Sequence, residues 1–381
     1  MHDSDMQRLR GGATPRNHDA RTIAALTANP GCARRGVMDA AGVDKDAVAR
    51  RLGFPAPFGQ SQFAITRGNA FEAQVKADGC AELLTLLRDR LGLDVPEVAY
   101  DDLEVVGGNE SREVRHARTR RLVERALGGE GTLFDHPLLR LEIAGQTAYL
   151  EPDVIAFQLG GRFHIIEIKS FAVIDGQAEP EQVAAAARQS AVYVLALRRL
   201  LEELGADPGR VSHEVFLVCP ENFSNRPAAT PLDVRPQLAV LERQLARLTR
   251  VDQIVGGLPD DLTFDLEDAA LPEAVRTVDA RYAPECMATC EMAFFCRDEA
   301  RACGATATLG KAVRDDLGGV DAIGTALALA DGSLTPSADL AETAERLRTA
   351  ARLRREALAA ATAAGGPATA ESAYAVIPAT A

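Results

Sequence analysis

The stretch EPDVIAFQLGGRFHIIEIK, residues 151–169, decides the fold expected for this chain. Two short runs rich in apolar residues, 148–157 and 163–169, surround a Gly-Gly pair at 160–161, which is typical of a β-hairpin turn. A third such run, 138–143, comes shortly before them. We therefore expect three consecutive strands that form an antiparallel meander.

Helical patterns lie on both sides of these strands. Apolar residues recur at intervals of three and four over 68–91, and an alanine-rich helix is expected at 181–204. A further buried strand is expected at 214–219. The order of helix, three-stranded antiparallel meander, helix and strand predicts a mixed α/β core over 61–225.

Five further segments are expected around that core. They are a flexible arm (1–20), an N-terminal segment that carries the first cysteine (21–60), a helical region with a cysteine cluster (226–304), a C-terminal helical subdomain (305–360) and a low-complexity tail (361–381).

The composition excludes several classes of protein. The 381 residues are 47% apolar and 25% charged, which supports a sizeable core and excludes disorder of the whole chain. No apolar run approaches the roughly 18 residues of a membrane span, and the polar N-terminus lacks the apolar region of a signal peptide. We therefore expect a soluble cytoplasmic protein with no membrane partner. The net charge of −13 argues against wholesale coating of nucleic acid but permits a local basic groove.

Two carboxylates and a rare lysine fall at the ends of the predicted hairpin. Only four lysines occur in the chain, and one of them, Lys169, projects to the same face of its strand as Glu167. The tight turn can bring Asp153 opposite this pair, and Glu72 would add a carboxylate from the first helix. A Glu-x-Lys pair alone is more often an ordinary charge pair on a solvated strand. The combination favours an oxygen-ligand site for Mg²⁺ or Mn²⁺.

The helix after the strands adds two polar residues. Gln189 and Tyr193 are four residues apart and therefore lie on one helix face. With Glu72, Pro152-Asp153 and Glu167-Ile168-Lys169, they give a series that resembles the PD-(D/E)XK nuclease superfamily, which has a restriction-endonuclease-like fold. The Gln-x-x-x-Tyr pattern is similar to the RecB-like branch, which includes the AddB-type and CRISPR adaptation nucleases. The resemblance covers roughly residues 60–220.

The resemblance implies a role for each residue. Asp153, Glu167 and the backbone carbonyl of Ile168 would hold the metal, and Glu72 would support it through water. Lys169 would orient or activate the attacking water. The pair on the following helix, Gln189 and Tyr193, would position the nucleic-acid strand. Many relatives have a histidine in the first-helix motif, where this chain offers Glu72.

Cysteines are concentrated near the C-terminal end of the chain. Of seven in total, Cys286, Cys290, Cys296 and Cys303 lie close together, and an odd number in a cytosolic chain is a poor disulfide framework. Clustered thiols in a reducing compartment favour a metal, either zinc or an iron–sulfur cluster. The spacing of Cys296 and Cys303 is too wide for a second zinc knuckle. An alternative set of ligands combines Cys32 with the first three.

The set of Cys32, Cys286, Cys290 and Cys296 resembles the iron staple of RecB-like nucleases, with one cysteine before the core and three after it. The resemblance implies a structural [4Fe–4S] cluster. The gap of three residues between Cys286 and Cys290 departs from the usual two. Cys303 therefore remains an alternative ligand, and zinc remains an alternative metal.

Arginines on the helix predicted at 112–125 are candidates for phosphate contacts. Arg115 and Arg118 share a face that Arg121 extends, and Arg188 lies beside Gln189. The alternative for that helix is an ordinary solvated surface in an arginine-rich chain.

Together these features predict a Mg²⁺- or Mn²⁺-dependent deoxyribonuclease, either an exonuclease or an endonuclease. Its substrate would be DNA, with single strands or ends favoured, and its setting would be repair, CRISPR adaptation or phage defence. The chain has no Gly-x-x-x-x-Gly-Lys-Ser/Thr motif, so a helicase would be another subunit. The alternative is a non-catalytic nucleic-acid-binding or scaffold subunit of a larger helicase or defence complex.

Overall fold

A computed structural model of the protein describes residues 3–16, 18–56, 62–90, 99–103, 110–130, 132–159, 161–222, 224–246, 248 and 250–363. The chain divides into two compact units. The first contains Met1–Arg281 and Thr289–Met292, and the second contains Tyr282–Ala288 and Ala293–Ala381. Most of the tail expected at 361–381 lies outside the described residues.

The first unit is built on a mixed β-sheet. Its strands, together with those of a separate hairpin, are β1 (Ala99–Asp102), β2 (Thr132–Asp135), β3 (Leu139–Ile143), β4 (Gln146–Leu150), β5 (Val154–Leu159), β6 (Arg162–Ile168), β7 (Glu214–Pro220) and β8 (Pro227–Asp233). The six-stranded sheet has the order β1-β2-β5-β6-β7-β8. The β1/β2 and β6/β7 pairs are parallel, and the other three are antiparallel. The predicted mixed α/β class is confirmed.

The predicted three-stranded meander is wrong in one respect. Strands β5 and β6 form the expected antiparallel hairpin, but among the described strands β3 and β4 pair only with each other, in a two-stranded sheet. The run predicted as one strand at 148–157 is split at Glu151-Pro152-Asp153, between β4 and β5. Proline has no backbone N–H to donate to a ladder, which favours a break at this point. Strand β5 then pairs with β2 on its other edge.

Three strands of the sheet were not predicted. Strands β1 and β2 are four residues each, and β1 contains Asp101 and Asp102, which makes its pattern weak. Strand β8 lies within the segment 226–304, which was expected to be helical, and it contains two prolines. Such residues are tolerated because β8 is an edge strand that pairs only with β7.

Helices cover both faces of the sheet. Those of the first unit are α1 (Asp3–Arg10), α2 (Ala20–Ala28), α3 (Ala33–Ala41), α4 (Lys45–Arg51), α5 (Gln62–Thr85), α6 (Arg112–Leu127), α7 (Pro180–Glu203), α8 (Arg235–Leu245), α9 (Val251–Val255) and α10 (Leu271–Thr277). Helix α5 packs with Ile166 and Ile168 in one apolar cluster, whereas α7 packs with Ile155 and Ile165 in another. This division follows from the alternation of side chains along β6. The predicted helices at 112–125 and 181–204 are confirmed as α6 and α7.

The first helix corrects the expectation of a flexible arm at 1–20. Met6 and Leu9 of α1 are buried, and their spacing of three places them on one helix face. The carbonyl of Leu9 accepts a hydrogen bond from the backbone N–H of Phe264 at 2.8 Å. This segment is therefore folded into the first unit, because a short amphipathic helix can bury its apolar side against the rest of the unit.

The second unit is helical over its described residues. It contains α11 (Ala293–Ala302), α12 (Lys311–Asp316), α13 (Ile323–Asp331) and α14 (Ala341–Ala363), so the helices expected within 305–360 are present. A small apolar cluster that includes Leu317, Val320, Leu329 and Ala344 packs α13 and α14 together. Across the described part of both units, no helix is long and apolar enough to span a membrane.

Candidate active site

Asp153 fixes the geometry at the end of the β5/β6 hairpin. It directly precedes β5, and its Oδ2 accepts a hydrogen bond from the backbone N–H of Ile168 at 2.6 Å. Because Val154 is paired with Ile166, the register places Asp153 beside Glu167 on the neighbouring strand. The structure therefore brings together the two carboxylates that the sequence placed in one site.

Glu167 and Lys169 form the second part of this site. Glu167 is fully buried, and its carboxylate is ion-paired with the Lys169 ammonium. Apart from this ion pair at Oε1, neither carboxylate oxygen, Oε1 or Oε2, accepts a hydrogen bond from any residue that the structure describes. The backbone N–H of Lys169 donates to the carbonyl of Val218 at 2.9 Å, so β7 holds this residue in place after β6 has ended.

The electrostatics of the site favour a further cation. Burial raises the pKa of Glu167 to about 8, and the nearby Asp153 carboxylate adds to the effect. Burial also raises the pKa of Asp153, although Lys169 opposes this shift. Burial lowers the pKa of Lys169, but the two carboxylates more than compensate and the net shift is upward. Two buried carboxylates thus share one ammonium, and a bound cation would relieve their repulsion.

Gln189 and Tyr193 lie on the α7 side of the carboxylates. The Gln189 Nε2 donates a hydrogen bond to the Tyr193 hydroxyl at 2.9 Å. Burial raises the pKa of Tyr193 well above its usual value, and the charge of Glu167 adds to this shift. The Tyr193 side chain is buried, whereas Gln189 is half-buried. Tyr193 packs in one apolar cluster with Ile155 and Ile165, so this pair lies on the α7 side of the hairpin that carries Asp153 and Glu167.

Glu72 belongs to a charge network that was not predicted. Its Oε1 lies 2.6 Å from the Lys76 Nζ, and the same ammonium lies 2.8 Å from the Asp135 Oδ1. The His136 Nε2 is 3.0 Å from Lys76. The backbone N–H of His136 donates a hydrogen bond to the carbonyl of Asp153 at 3.3 Å, so this network borders the buried carboxylates. The charge of Glu72 also contributes to the raised pKa of Asp153. Lys76 was recognisable in the sequence as one of four lysines, four residues after Glu72.

The end of β2 supplies the other members of this network. Asp135 is buried, and its Oδ2 accepts a hydrogen bond from the Tyr100 hydroxyl at 2.7 Å. Potential ligand atoms of Asp102, Asp135 and His136 all lie within 4.8 Å of one another. His136 Nε2 is also 3.7 Å from the Glu72 Oε1. His136, which directly follows β2, therefore lies within reach of Glu72 on α5.

The predicted phosphate-binding arginines have different surroundings. Arg115 is half-buried, and its Nη2 lies 3.1 Å from the Glu151 Oε1 and 3.5 Å from the His136 carbonyl. This arginine therefore lies at the edge of the site. Arg118 is paired with Glu110 at 3.0 Å. The other two, Arg121 and Arg188, are exposed. Contact with nucleic acid stays a prediction for all four.

The candidate cluster ligands are divided between the two units. Cys32 and Cys290 belong to the first unit, whereas Cys286, Cys296 and Cys303 belong to the second. None of them is in a disulfide. Burial raises the pKa of the Cys290 thiol to about 11, so it would need a bound cation to act as a thiolate at neutral pH. The identity of the ligands and of the metal stays a prediction.

The two remaining cysteines are core residues. Cys80 and Cys219 are buried in the first unit, each within an apolar cluster. Both are therefore small side chains of the core.

Comparison with known proteins finds only distant structural likenesses among those described below. No family profile and no curated protein sequence matches the chain. A solved candidate exonuclease from Eubacterium rectale is 13% identical with a TM-score of 0.31, over 71% of this chain and 90% of that chain. A solved protein designated SSO0001 is 11% identical with a TM-score of 0.19, over 53% of this chain and 82% of that chain. Likenesses at this level carry no argument about activity.

Proposed function

We propose that the chain is a metal-dependent DNA nuclease that hydrolyses phosphodiester bonds. The observation that carries the proposal is the pair of buried carboxylates, Asp153 and Glu167, with a single ammonium, Lys169, at the end of one hairpin. A folded protein keeps such an imbalance of buried charge at a cost, and strongly perturbed carboxyl groups are concentrated at functional sites. The resemblance to the RecB-like branch of the PD-(D/E)XK nucleases supports the same conclusion.

The donor atoms fit a hard divalent cation. Asp153, Glu167 and the backbone carbonyl of Ile168 would hold Mg²⁺ or Mn²⁺, since all three offer oxygen. The orphaned Oε2 of Glu167 is a donor atom with no protein partner among the described residues. When bound, the ion would polarise the phosphate and lower the pKa of a water molecule.

The other residues of the site would position the reactants. Lys169, held beside Glu167, would orient the attacking water through its ammonium group. The hydrogen-bonded pair Gln189 and Tyr193 would align the DNA strand from the α7 side. Arg115, at the edge of the site, would offer a cation to an adjacent phosphate.

A cleavage assay on end-labelled single-stranded and double-stranded DNA tests the proposal. We expect Mn²⁺-dependent cleavage by the wild type, its loss in Asp153→Asn, and a decrease of about 100-fold or more in Lys169→Met. Gel-shift binding and the melting temperature of each variant serve as controls for folding. Full DNA binding by a wild type that never cleaves would instead favour a non-catalytic subunit of a helicase or defence complex.

We also propose that Cys32, Cys286, Cys290 and Cys296 hold a structural [4Fe–4S] cluster. Such a cluster would link parts of the chain that are far apart in sequence and so couple metal binding to folding. Anaerobic purification followed by iron, sulfide and zinc analysis tests this. We expect Cys296→Ala to lose iron and Cys303→Ala to retain it. Iron loss in Cys303→Ala but not in Cys296→Ala would mean that Cys303 is the ligand in place of Cys296. Zinc without sulfide would exclude the iron–sulfur cluster.

A further inference from the structure

The Lys76 ammonium is the centre of a compact network beside the proposed site. Its side chain is only 8% exposed, and its Nζ lies within 3.0 Å of atoms from Glu72, Asp135 and His136. These three partners come from two elements that are distant in sequence, since Glu72 lies on α5 and the other two residues lie at the end of β2. Lys76 therefore links helix α5 to the sheet through charge.

The charge state of this lysine is well defined. Burial lowers the pKa of Lys76, but hydrogen bonds to Asp135 and Glu72 more than offset this, and the net shift is upward. Lys76 is therefore a fixed ammonium at physiological pH. It already provides the positive charge that Asp135 and Glu72 require, which argues against a separate metal ion in the space that it fills.

Asp135 is the rigid part of the network. Its side chain is buried, and its two oxygens are held by different groups, Lys76 at Oδ1 and the Tyr100 hydroxyl at Oδ2. Glu72 is about one-third exposed, and its Oε1 lies closer to Lys76, at 2.6 Å, than to His136, at 3.7 Å. A carboxylate on a long flexible side chain loses rotamer freedom when it is held, and Lys76 provides the contact that holds it.

We propose that Lys76 is a positioning residue that holds Glu72 beside the metal site formed by Asp153 and Glu167, with Asp135 as its anchor. This inference rests on the proposed function. Lysine suits the role because its compact ammonium can face three partners in different directions, whereas the planar guanidinium of arginine cannot do so in the same space. Only four lysines occur in the chain, and two of them, Lys76 and Lys169, pair with carboxylates at the ends of β2 and β6.

Direct measurement of Mn²⁺ affinity tests the role without depending on turnover. Isothermal titration of the full chain would compare the wild type, Lys76→Met, Glu72→Gln and the double variant. Loss of an outer support of this kind typically costs about 10- to 100-fold in metal affinity, and we expect that range for Lys76→Met. We also expect the double variant to bind no more weakly than Glu72→Gln alone, because Lys76 acts through Glu72.

Two further variants keep the test decisive. Lys45→Met makes the same change at another buried lysine of the first unit, which pairs with Asp39, and we expect it to leave Mn²⁺ affinity unchanged. Asp135→Asn loosens the anchor while keeping its shape, so it should weaken Mn²⁺ binding in the same direction as Lys76→Met. This variant decides the question should Lys76→Met fail to fold.

The outcomes separate this inference from the proposed function. If the wild type binds Mn²⁺ tightly and Lys76→Met binds it equally well, the proposed role of Lys76 is wrong but the proposed nuclease function is not affected. Should Lys76→Met be unfolded, unchanged Mn²⁺ affinity in Asp135→Asn leads to the same conclusion. The role of Lys76 is also wrong if Lys76→Met lowers Mn²⁺ affinity by the same factor in the wild type and in Glu72→Gln, since its effect would then not pass through Glu72. A wild type that binds no Mn²⁺ and cleaves no DNA overturns both.

Discussion

Two regions of the first unit bury a lysine among carboxylates, and they differ in charge balance. Near the N-terminus, Asp39 is buried between Arg35, at 3.1 Å, and Lys45. Burial alone would raise the pKa of Asp39, but these two cations hold it below its usual value. At the candidate active site, Asp153 and Glu167 share Lys169, and the pKa of each carboxyl is raised.

The difference separates a structural network from a binding site. Around Asp39 the cations are sufficient, and Arg35 also donates to the carbonyl of Thr289 at 2.8 Å, so the network holds chain segments together. Around Glu167 the negative charge is in excess, and neither carboxylate oxygen has a hydrogen-bond partner among the described residues. A buried network that lacks positive charge is one that a cation can complete.

The largest difference in stability between the two networks should appear when one carboxylate of each is neutralised. Asp39→Asn leaves two buried cations without their anion, and we expect a loss of about 3–5 kcal/mol in the free energy of unfolding. Above about pH 8, where Glu167 is ionised, Glu167→Gln removes a charge that the fold tolerates poorly, so its stability without metal should equal or exceed that of the wild type. Chemical denaturation of both variants measures this. A large destabilisation by Glu167→Gln would remove the distinction between the networks.

The pH dependence of stability should sharpen the same comparison. The pKa of Glu167 is about 8 in the folded protein, above its ordinary value, so the folded state binds the proton more tightly. Its contribution to stability is complete below the ordinary glutamate pKa of about 4.5 and is lost as the pH rises through 8. We expect the melting temperature of metal-free protein to fall over this range. The fall should be smaller in Glu167→Gln and in wild type with Mn²⁺.

The opposite sign applies to the structural network. Because the pKa of Asp39 is lowered, its contribution to stability is present above the ordinary aspartate pKa and is lost as the pH falls through the folded value. We therefore expect Asp39→Asn to reduce the dependence of stability on pH only on the acid side. Melting curves of this variant from pH 3 to pH 6 check the sign. A change confined to alkaline pH would contradict it.

The smallest effect should come from a surface ion pair. Arg118 and Glu110 lie 3.0 Å apart, and each side chain is about one-third exposed or more. Solvent screening limits such a pair to about 0–1 kcal/mol, so Glu110→Gln should change the free energy of unfolding by no more than this. A larger loss would mean that charge balance matters as much at this surface as in the interior.

Local patterns in the sequence were sufficient for much of the core. The β5/β6 hairpin and the helices α6 and α7 follow from turn residues and apolar periodicity within short windows. The two-residue spacing of Glu167 and Lys169 is likewise local, since side chains alternate along a strand. The proximity of Asp153 required only the adjacent hairpin. These features are short-range, which is why they could be predicted.

Other features depend on contacts between distant segments. The pairing of β2 with β5 cannot be read from either strand, and it replaced the expected pairing of the β3/β4 hairpin with the sheet. Helix α1 is tied to a distant segment by the backbone hydrogen bond from Phe264 to Leu9. Neither partner is marked by a local pattern. Packing of segments far apart in sequence decided both outcomes.

The sequence by itself determined that two carboxylates and a lysine meet at one hairpin, because the period of a β-strand and a tight turn leave few alternatives. The tertiary structure alone decided how that site is supported. Lys76 and His136 are separated by 60 residues in the chain, yet they come within 3.0 Å of each other. Burial, which sets the excess of negative charge, is also a property of the whole fold, because it depends on what packs over each side chain.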